Sequence, residues 1–310
     1  MPARLTIGTR GSPLALAQAT EVARRLRAAH PDLDTEDAIA IAVIRTTGDK
    51  VQDRPLAEIG GKGLFTKEIE EALIERRIDL AVHSMKDVPT WLPEGLSIAA
   101  ILPREDPRDV LIAPAAGRLS ELARGATVGT ASLRRQAQIL SLRPDLKVVP
   151  FRGNVNTRLR KIEEREVDAT ILALAGLRRL GLKGYAARAI EPVEMLPAVA
   201  QGAIGVEARD GDTATRDRLA PLDDPDSARA VAAERALLAA LDGSCRTPIA
   251  ALARLDGAAL TLDALIAQPD GSTVHTARRE GAAADAEAMG ADAGAELRAK
   301  GGPGFFAEPG

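Results

Sequence analysis

The sequence predicts an α/β protein: two α/β domains, each with a mostly parallel sheet, forming a cleft, plus a small α+β C-terminal domain with a three-stranded antiparallel sheet. Three observations predict it. Short β-branched runs alternate with amphipathic helical stretches through the first half of the chain. Strings from the beginning of the chain recur further along it. After Leu222 the pattern gives way to an alanine-rich stretch and then to hairpin signals. The expected division is 1–102 with 200–220 for the first domain, 103–199 for the second and 221–310 for the third.

Leu5 to Gly8 reads as a short buried strand. Ser12-Pro13 then supplies an N-cap and a proline at the first helical position, and Pro31 ends that helix. Ala38 to Ile44 is a β-branched strand, and Gly60-Gly61-Lys62-Gly63 is a loop. Phe65, Ile69, Ala72 and Leu73 mark one face of a helix. Ile78 to Val82 is the next strand, with His83-Ser84-Met85-Lys86-Asp87 after its end.

The second domain repeats this plan. Val128-Gly129-Thr130 and Ser132 echo Ile7-Gly8-Thr9 and Ser12, and Arg143-Pro144-Asp145-Leu146 echoes His30-Pro31-Asp32-Leu33. Glu164-Arg165-Glu166-Val167-Asp168 echoes Glu75-Arg76-Arg77-Ile78-Asp79. Crossings at Pro103 to Pro107 and Pro197 to Gly202 return the chain to the first domain, hence the cleft. Ser227 to Leu241 is an alanine-rich helix stopped by Gly243. Asp256-Gly257 and Pro269-Asp270-Gly271 join three strands, and a last helix covers Ala283 to Lys300.

Composition narrows the function. Aromatics make up 2% of the chain, net charge is −3 and the pI is about 5.8. Neither base-stacking platforms nor a global basic field is present, so no nucleic-acid partner is expected. No apolar run reaches the ~18–20 residues needed to span a bilayer, so no membrane partner is expected either. The single cysteine, Cys245, and three histidines offer no metal-ligand spacing, and no metal is expected. The start of the chain shows no signal-peptide pattern, which points to the cytoplasm.

The cations cluster locally at strand ends and helix starts. Thr9-Arg10-Gly11-Ser12 places an arginine beside a helix N-terminus, where backbone N–H groups favour an anion. Ser132-Leu133-Arg134-Arg135 repeats the device with paired arginines that oppose the helix dipole unless an anion joins them. Arg152-Gly153-Asn154 with Arg158, Lys62 and Arg179 add to the set. Arginine suits bidentate carboxylate recognition, so the expected ligand carries several carboxylates or phosphates. Asp87 would stabilise positive charge in such a site, and His83 reads as a hydrogen-bonded structural residue. Arg246 beside Cys245 favours the thiolate.

These strings, in this order, resemble the porphobilinogen deaminase family. The carriers are Thr9-Arg10-Gly11-Ser12-Pro13-Leu14-Ala15-Leu16, Gly60-Gly61-Lys62-Gly63-Leu64-Phe65, His83-Ser84-Met85-Lys86-Asp87 and Arg104-Glu105-Asp106-Pro107-Arg108-Asp109. Further along come Ser132-Leu133-Arg134-Arg135-Gln136, Arg152-Gly153-Asn154-Val155, Ala175-Gly176-Leu177, Gln201-Gly202-Ala203 and Gly243-Ser244-Cys245. The resemblance implies two periplasmic-binding-protein-like domains and an enzyme that joins four porphobilinogen molecules into hydroxymethylbilane with release of ammonia. It implies a dipyrromethane cofactor on a cysteine thioether, here Cys245, with Asp87 as the catalytic carboxylate. Lys86, Asp87, Ser132, Arg134, Arg135 and Gly202 match cofactor-site positions. Arg10, Ser12, Lys62, Arg152, Arg158 and Arg179 match positions that bind substrate side chains. A monomer is expected. Glu58 stands where some members carry lysine, and a carboxylate there cannot bind an acetate group.

A two-domain small-anion binding protein without catalysis is the alternative. It would leave the thiol-bearing third domain and Asp87 without a task.

Overall fold

The structure, a computed structural model, describes residues 5–35, 37–50, 63–182, 187–243 and 247–306. Lys62, Glu58 and Cys245 lie outside the described residues. In chain order the elements begin β1 (Leu5–Thr9), α1 (Pro13–Ala29), β2 (Ile39–Val43), α2 (Thr47–Lys50), α3 (Lys67–Ile74), β3 (Leu80–Ser84) and β4 (Leu96–Ile101). There follow β5 (Asp109–Ile112), β6 (Thr127–Gly129), α4 (Leu133–Leu142), β7 (Lys147–Val149), α5 (Val155–Glu163), β8 (Ala169–Ala173), α6 (Leu174–Arg179) and β9 (Ala187–Ala189). The chain closes with β10 (Ile204–Arg209), α7 (Thr213–Leu219), α8 (Pro225–Ala240), β11 (Ile249–Asp256), β12 (Ala259–Ala267), β13 (Val274–Ala282) and α9 (Ala286–Gly301). Two compact units result: Met1–Glu105 with Gly202–Ala228, and Asp106–Gln201 with Arg229–Gly310.

In unit 1 the sheet order is β2-β1-β3-β10-β4. β1, β2 and β3 run parallel, while β10 is antiparallel to both its neighbours. α1 forms because Ser12 caps it, accepting from the Ala15 N–H at 3.2 Å, with Pro13 at the first position. Its buried stripe of Ala19, Val22, Ala23 and Leu26 packs with Ile7, Leu80, Val82 and Val206 into one core. Burial of side chains the size of Val22 and Leu26 contributes roughly 1.5–3 kcal/mol each. α3 buries Ile69, Ala72 and Leu73 on the other face, whereas Phe65 precedes that helix. β3 extends two residues past the end expected for it, because Ile204 and Gly205 of β10 pair with Ser84 and His83. His83 and Ser84 therefore belong to the strand.

In unit 2 the large sheet has the order β7-β6-β8-β5-β9, again three parallel strands followed by one antiparallel strand and an edge. In each unit the antiparallel strand is the first one laid down after a crossing: β5 after Pro103 to Pro107, β10 after Pro197 to Gly202. Register relates the two sheets residue by residue. Ile7 pairs with Leu80 and Gly8 with Ala81, as Val128 pairs with Ala169 and Gly129 with Thr170. His83 therefore corresponds to Leu172 and Ser84 to Ala173. Through the antiparallel strands, Ile204 corresponds to Asp109, Gly205 to Val110 and Glu207 to Ile112.

The three-stranded sheet β11-β12-β13 is antiparallel, with Gly257 (φ 56) and Gly271 (φ 74) in its turns as the Asp-Gly signals require. It packs on α4: Ala137 joins Ala250, Leu252, Leu265 and Ala267 in one cluster, and the Gln136 amide donates to the Pro269 carbonyl at 3.1 Å. α8 buries Glu234, whose two oxygens accept from the N–H groups of Ala200 (2.6 Å) and Ala253 (2.8 Å).

Candidate active site

In unit 1 the loop after β1 carries Arg10 and ends at the α1 cap, Ser12. Arg10 lies 4.1 Å over the Phe65 ring. β3 delivers His83 and Ser84, and a single 3₁₀ turn, Met85–Asp87, follows. The Met85 N–H donates to the Ala203 carbonyl at 3.1 Å. Its side chain is 1% exposed and fills the space that a Cβ on Gly205 would need, 2.1 Å from the sulfur. With Met85 anchored inward, Lys86 and Asp87 are half-buried. Asp87 lines a recess with Arg10, Ser12, Gln18, Thr66 and His83. A guanidinium and a carboxylate in one recess can hold an anionic group and stabilise developing positive charge.

Below the recess, His83 Nε2 lies 2.8 Å from Oε2 of Glu207, both side chains buried. Glu70 of α3 is buried too, and burial pushes its carboxyl above the usual range.

Unit 2 holds the arginines. Ser132 caps α4 by accepting from the Arg135 N–H at 3.4 Å, which places Arg134 and Arg135 in the first turn. Neither is an exposed helix arginine: they are 4% and 6% exposed. Arg134 donates to Asp109 Oδ2 (2.8 Å) and to the Leu196 carbonyl (2.6 Å). Arg135 and the Gln201 amide both donate to Asp109 Oδ1 at 2.8 Å. Burial would push the Asp109 carboxyl up. The charges of Arg134 and Arg135, with hydrogen bonds from Arg135 and Gln201, outweigh that and hold it well below the usual carboxylate range.

Positive charge is in excess there. Burial, and then repulsion from Arg135 and Arg152, push Arg158 down to about 10. Arg158 Nε donates to the Gly153 carbonyl at 2.9 Å, beside the Asn154 cap of α5. Gly153 needs its φ of 123°, which a side chain would rarely adopt. Arg135 Nε and Arg152 Nη1 are buried without a hydrogen-bond partner among the described residues. Donors of this kind, in a cationic surrounding, fit a ligand that carries carboxylates.

The structure thus brings Arg10, Ser12 and Asp87 together in one recess of unit 1, with Lys86 next to Asp87 in the 3₁₀ turn, and Ser132, Arg134, Arg135, Arg152 and Arg158 together in unit 2. Arg179 is half-buried at the end of α6. Gly202 has a φ of 90°, and its carbonyl accepts from the Glu105 N–H at 3.3 Å. Sequence reasoning missed Asp109, Glu207 and Glu70 as site components. The available signal was an acid opening the apolar strand Asp109–Ile112, and another inside Ile204–Arg209.

Comparison with known proteins shows the family. Residues 5–217 match the family model "Porphobilinogen deaminase, dipyromethane cofactor binding domain", and residues 228–299 match "Porphobilinogen deaminase, C-terminal domain". The porphobilinogen deaminase of Nitrobacter winogradskyi is 59% identical over 97% of this chain and 95% of that protein. A chloroplastic porphobilinogen deaminase of Oryza sativa is 56% identical over 97% of this chain and 85% of its own length. Among solved structures, the periplasmic aliphatic sulphonate binding protein SsuA of Escherichia coli aligns at 14% identity and a TM-score of 0.42, covering 77% of this chain and 70% of that one. The carboxylate turn after β3, the paired arginines opening α4 and the C-terminal three-stranded sheet all lie inside the matched regions, and the chain belongs to the porphobilinogen deaminase family.

Proposed function

We propose that the protein condenses four porphobilinogen molecules head to tail into hydroxymethylbilane, with release of ammonia. The observation that carries the reading is the recess where Asp87 stands with Arg10. Arg10 binds a carboxylate side chain of the incoming pyrrole. Asp87 stabilises the positive charge on that pyrrole as its amino group leaves. In unit 2, Arg135, Arg152 and Arg158 hold further carboxylates, which relieves the cationic repulsion among them. The Arg134–Asp109–Arg135 network fixes the guanidinium directions in advance, so that little ordering is left to binding.

When bound, the dipyrromethane cofactor would supply the pyrrole end to which the first unit is joined. Cys245 is assigned as its thioether attachment and residues 221–310 as the thiol-bearing domain, with Ser132, Arg134 and Arg135 holding the cofactor's side chains. Arg179 and Lys62 are assigned to substrate carboxylates. We place the enzyme in the cytoplasm as a monomer; among the described residues no helix is long and apolar enough to cross a membrane. Intact mass of the protein beside Cys245→Ala tests the reading. Excess mass of two linked pyrroles, lost in the variant, is expected. A bare-chain mass that persists after incubation with porphobilinogen would return the choice to anion binding without chemistry.

A further inference from the structure

Unit 1 buries three ionisable side chains that this mechanism does not use. His83 is 5% exposed, Glu207 0% and Glu70 7%, where α3 covers β3 and β10. Glu207 places its Oε2 2.8 Å from His83 Nε2. Its Oε1 is buried with no hydrogen-bond partner among the described residues. A buried carboxylate oxygen left without a partner costs stability, so a cluster that keeps one calls for a use.

The fold does not require the cluster. In unit 2 the corresponding positions hold Leu172 and Ile112, packed in an apolar core with Val110, Leu159 and Ile162. Replacing a buried ionic pair with aliphatic side chains is often neutral or stabilising. A pair present in only one of two matching sheets therefore serves something in that sheet. His83 reaches the surface of the recess that holds Asp87 and Arg10.

We propose that His83, held by Glu207 with Glu70 behind it, carries the proton of the condensation. This rests on the deaminase reading. In that reaction the carbon–nitrogen bond of the incoming aminomethyl group breaks, and its electron pair leaves with the nitrogen as ammonia. A carbon–carbon bond then forms between the methylene carbon and a ring carbon of the neighbouring pyrrole. That ring carbon gives up its hydrogen as a proton. The imidazole takes it and passes it to the ammonia, which departs as ammonium. A protonated aminomethyl group and a ring C–H thus become a methylene link and NH₄⁺, and atoms and charge balance. With Nε2 engaged by Glu207, Nδ1 is the atom left for transfer. Of the charged groups around the pair, Glu70 of α3 interacts with both members, Arg209 lies two residues from Glu207 on β10, and Asp87 and Arg10 share the recess with His83. Arg209 is occupied by the carbonyls of Leu73 and Ile78 and by Asp212.

The test compares wild-type holoenzyme with E207Q, E207D and the double variant H83L/E207I, which installs the residues of unit 2. Intact mass reports the cofactor, thermal melting reports the fold, and steady-state kinetics across neutral pH report kcat and KM. H83L/E207I should carry the adduct after prolonged incubation with porphobilinogen and melt at or above the wild-type temperature. Its kcat should fall about a hundredfold or more, the range of general acid–base catalysis, with KM little changed. E207Q should move the pH profile of kcat, and E207D should restore part of the rate. The His83 ring nitrogen shifts in NMR, in a chain of three histidines, should differ between wild type and E207Q. A wild-type kcat and pH profile in H83L/E207I would overturn the proposal, and so would identical His83 shifts. An H83L/E207I chain that stays bare through prolonged incubation with porphobilinogen would also overturn it, making the pair an element of the cofactor site. A wild type with neither adduct nor turnover would instead remove the deaminase reading itself.

Discussion

The two large sheets share a hydrogen-bond detail at matching positions. In unit 1 the Thr6 N–H donates to Asp79 Oδ2 at 2.7 Å, and the Asp79 N–H donates back to the Thr6 carbonyl at 2.9 Å. In unit 2, Thr127 and Asp168 make the same reciprocal pair at the same distances. Gly8 and Gly129 each sit where a Cβ would strike the next layer, Ile78 at 2.2 Å and Phe151 at 2.6 Å. Serines cap both following helices. The difference lies in what the shared frame carries. Where unit 1 has Leu14, Ala15 and Ile204, unit 2 has Arg134, Arg135 and Asp109. Where unit 2 has Leu172 and Ile112, unit 1 has His83 and Glu207. At these positions unit 2 concentrates buried arginines around one acid, and unit 1 a buried acid–histidine pair. The frame itself is chemically neutral, and function sits in a handful of substituted positions.

The largest effect should come from breaking the unit 2 network. Asp109→Ala leaves two buried guanidiniums without their carboxylate and should cost about 3–5 kcal/mol of stability, read by urea unfolding. Installing unit 1's own residues together, R134L/R135A/D109I, should recover most of that stability, while intact mass shows the cofactor lost. A triple variant as unstable as the single one would mean that the two sheets are not interchangeable there. The pH dependence has a definite sign. Asp109 titrates below its unfolded value, so its contribution is complete above about pH 4 and is lost as pH falls towards the folded value. Asp109→Asn should remove that acid-side slope. Next in size, Asp87→Asn should lower kcat by about 10²–10³ with the melting temperature unchanged, the usual scale for one electrostatic contact to a charged transition state. Normal turnover would take Asp87 out of the chemistry.

How much of this was legible in the sequence follows from contact range. The caps Ser12 and Ser132, the echoed strings and the hairpin glycines act within a few residues of themselves, and local pattern exposes them. The insertion of β10 between β3 and β4, and of β5 between β8 and β9, depends on pairing across the chain, which no local period encodes. The end of β3 was misplaced for the same reason, since His83 and Ser84 become strand only through β10. At the site, arginines at helix starts stand out because they oppose the dipole. Their partner Asp109 lies 25 residues from Arg134, and Glu207 lies 124 from His83, so each acid read as an ordinary strand residue.

Smaller effects sharpen the comparison. Arg158 is held below its usual pKa by burial and by Arg135 and Arg152, so its charge opposes folding below about pH 10. Arg158→Gln should therefore raise stability, by less than about 1 kcal/mol because the half-buried group is screened. A polycarboxylate added to both proteins should erase or reverse the gain, since it binds only where the charge remains. The finest test uses backbone. Arg76 and Arg165 occupy equivalent turns after α3 and α5 with φ of 57° and 59°. A left-handed residue costs about 1–2 kcal/mol, and glycine returns part of that through its unfolded-state entropy. Arg76→Gly and Arg165→Gly should each stabilise by about 0.5 kcal/mol, and by the same amount. The turns bear no chemistry, so equal shifts in chemical denaturation would isolate the shared frame from the residues that differ. Unequal shifts would show that the two copies have diverged in the frame itself, and the contrast between the two sites would then rest on more than a few substituted side chains.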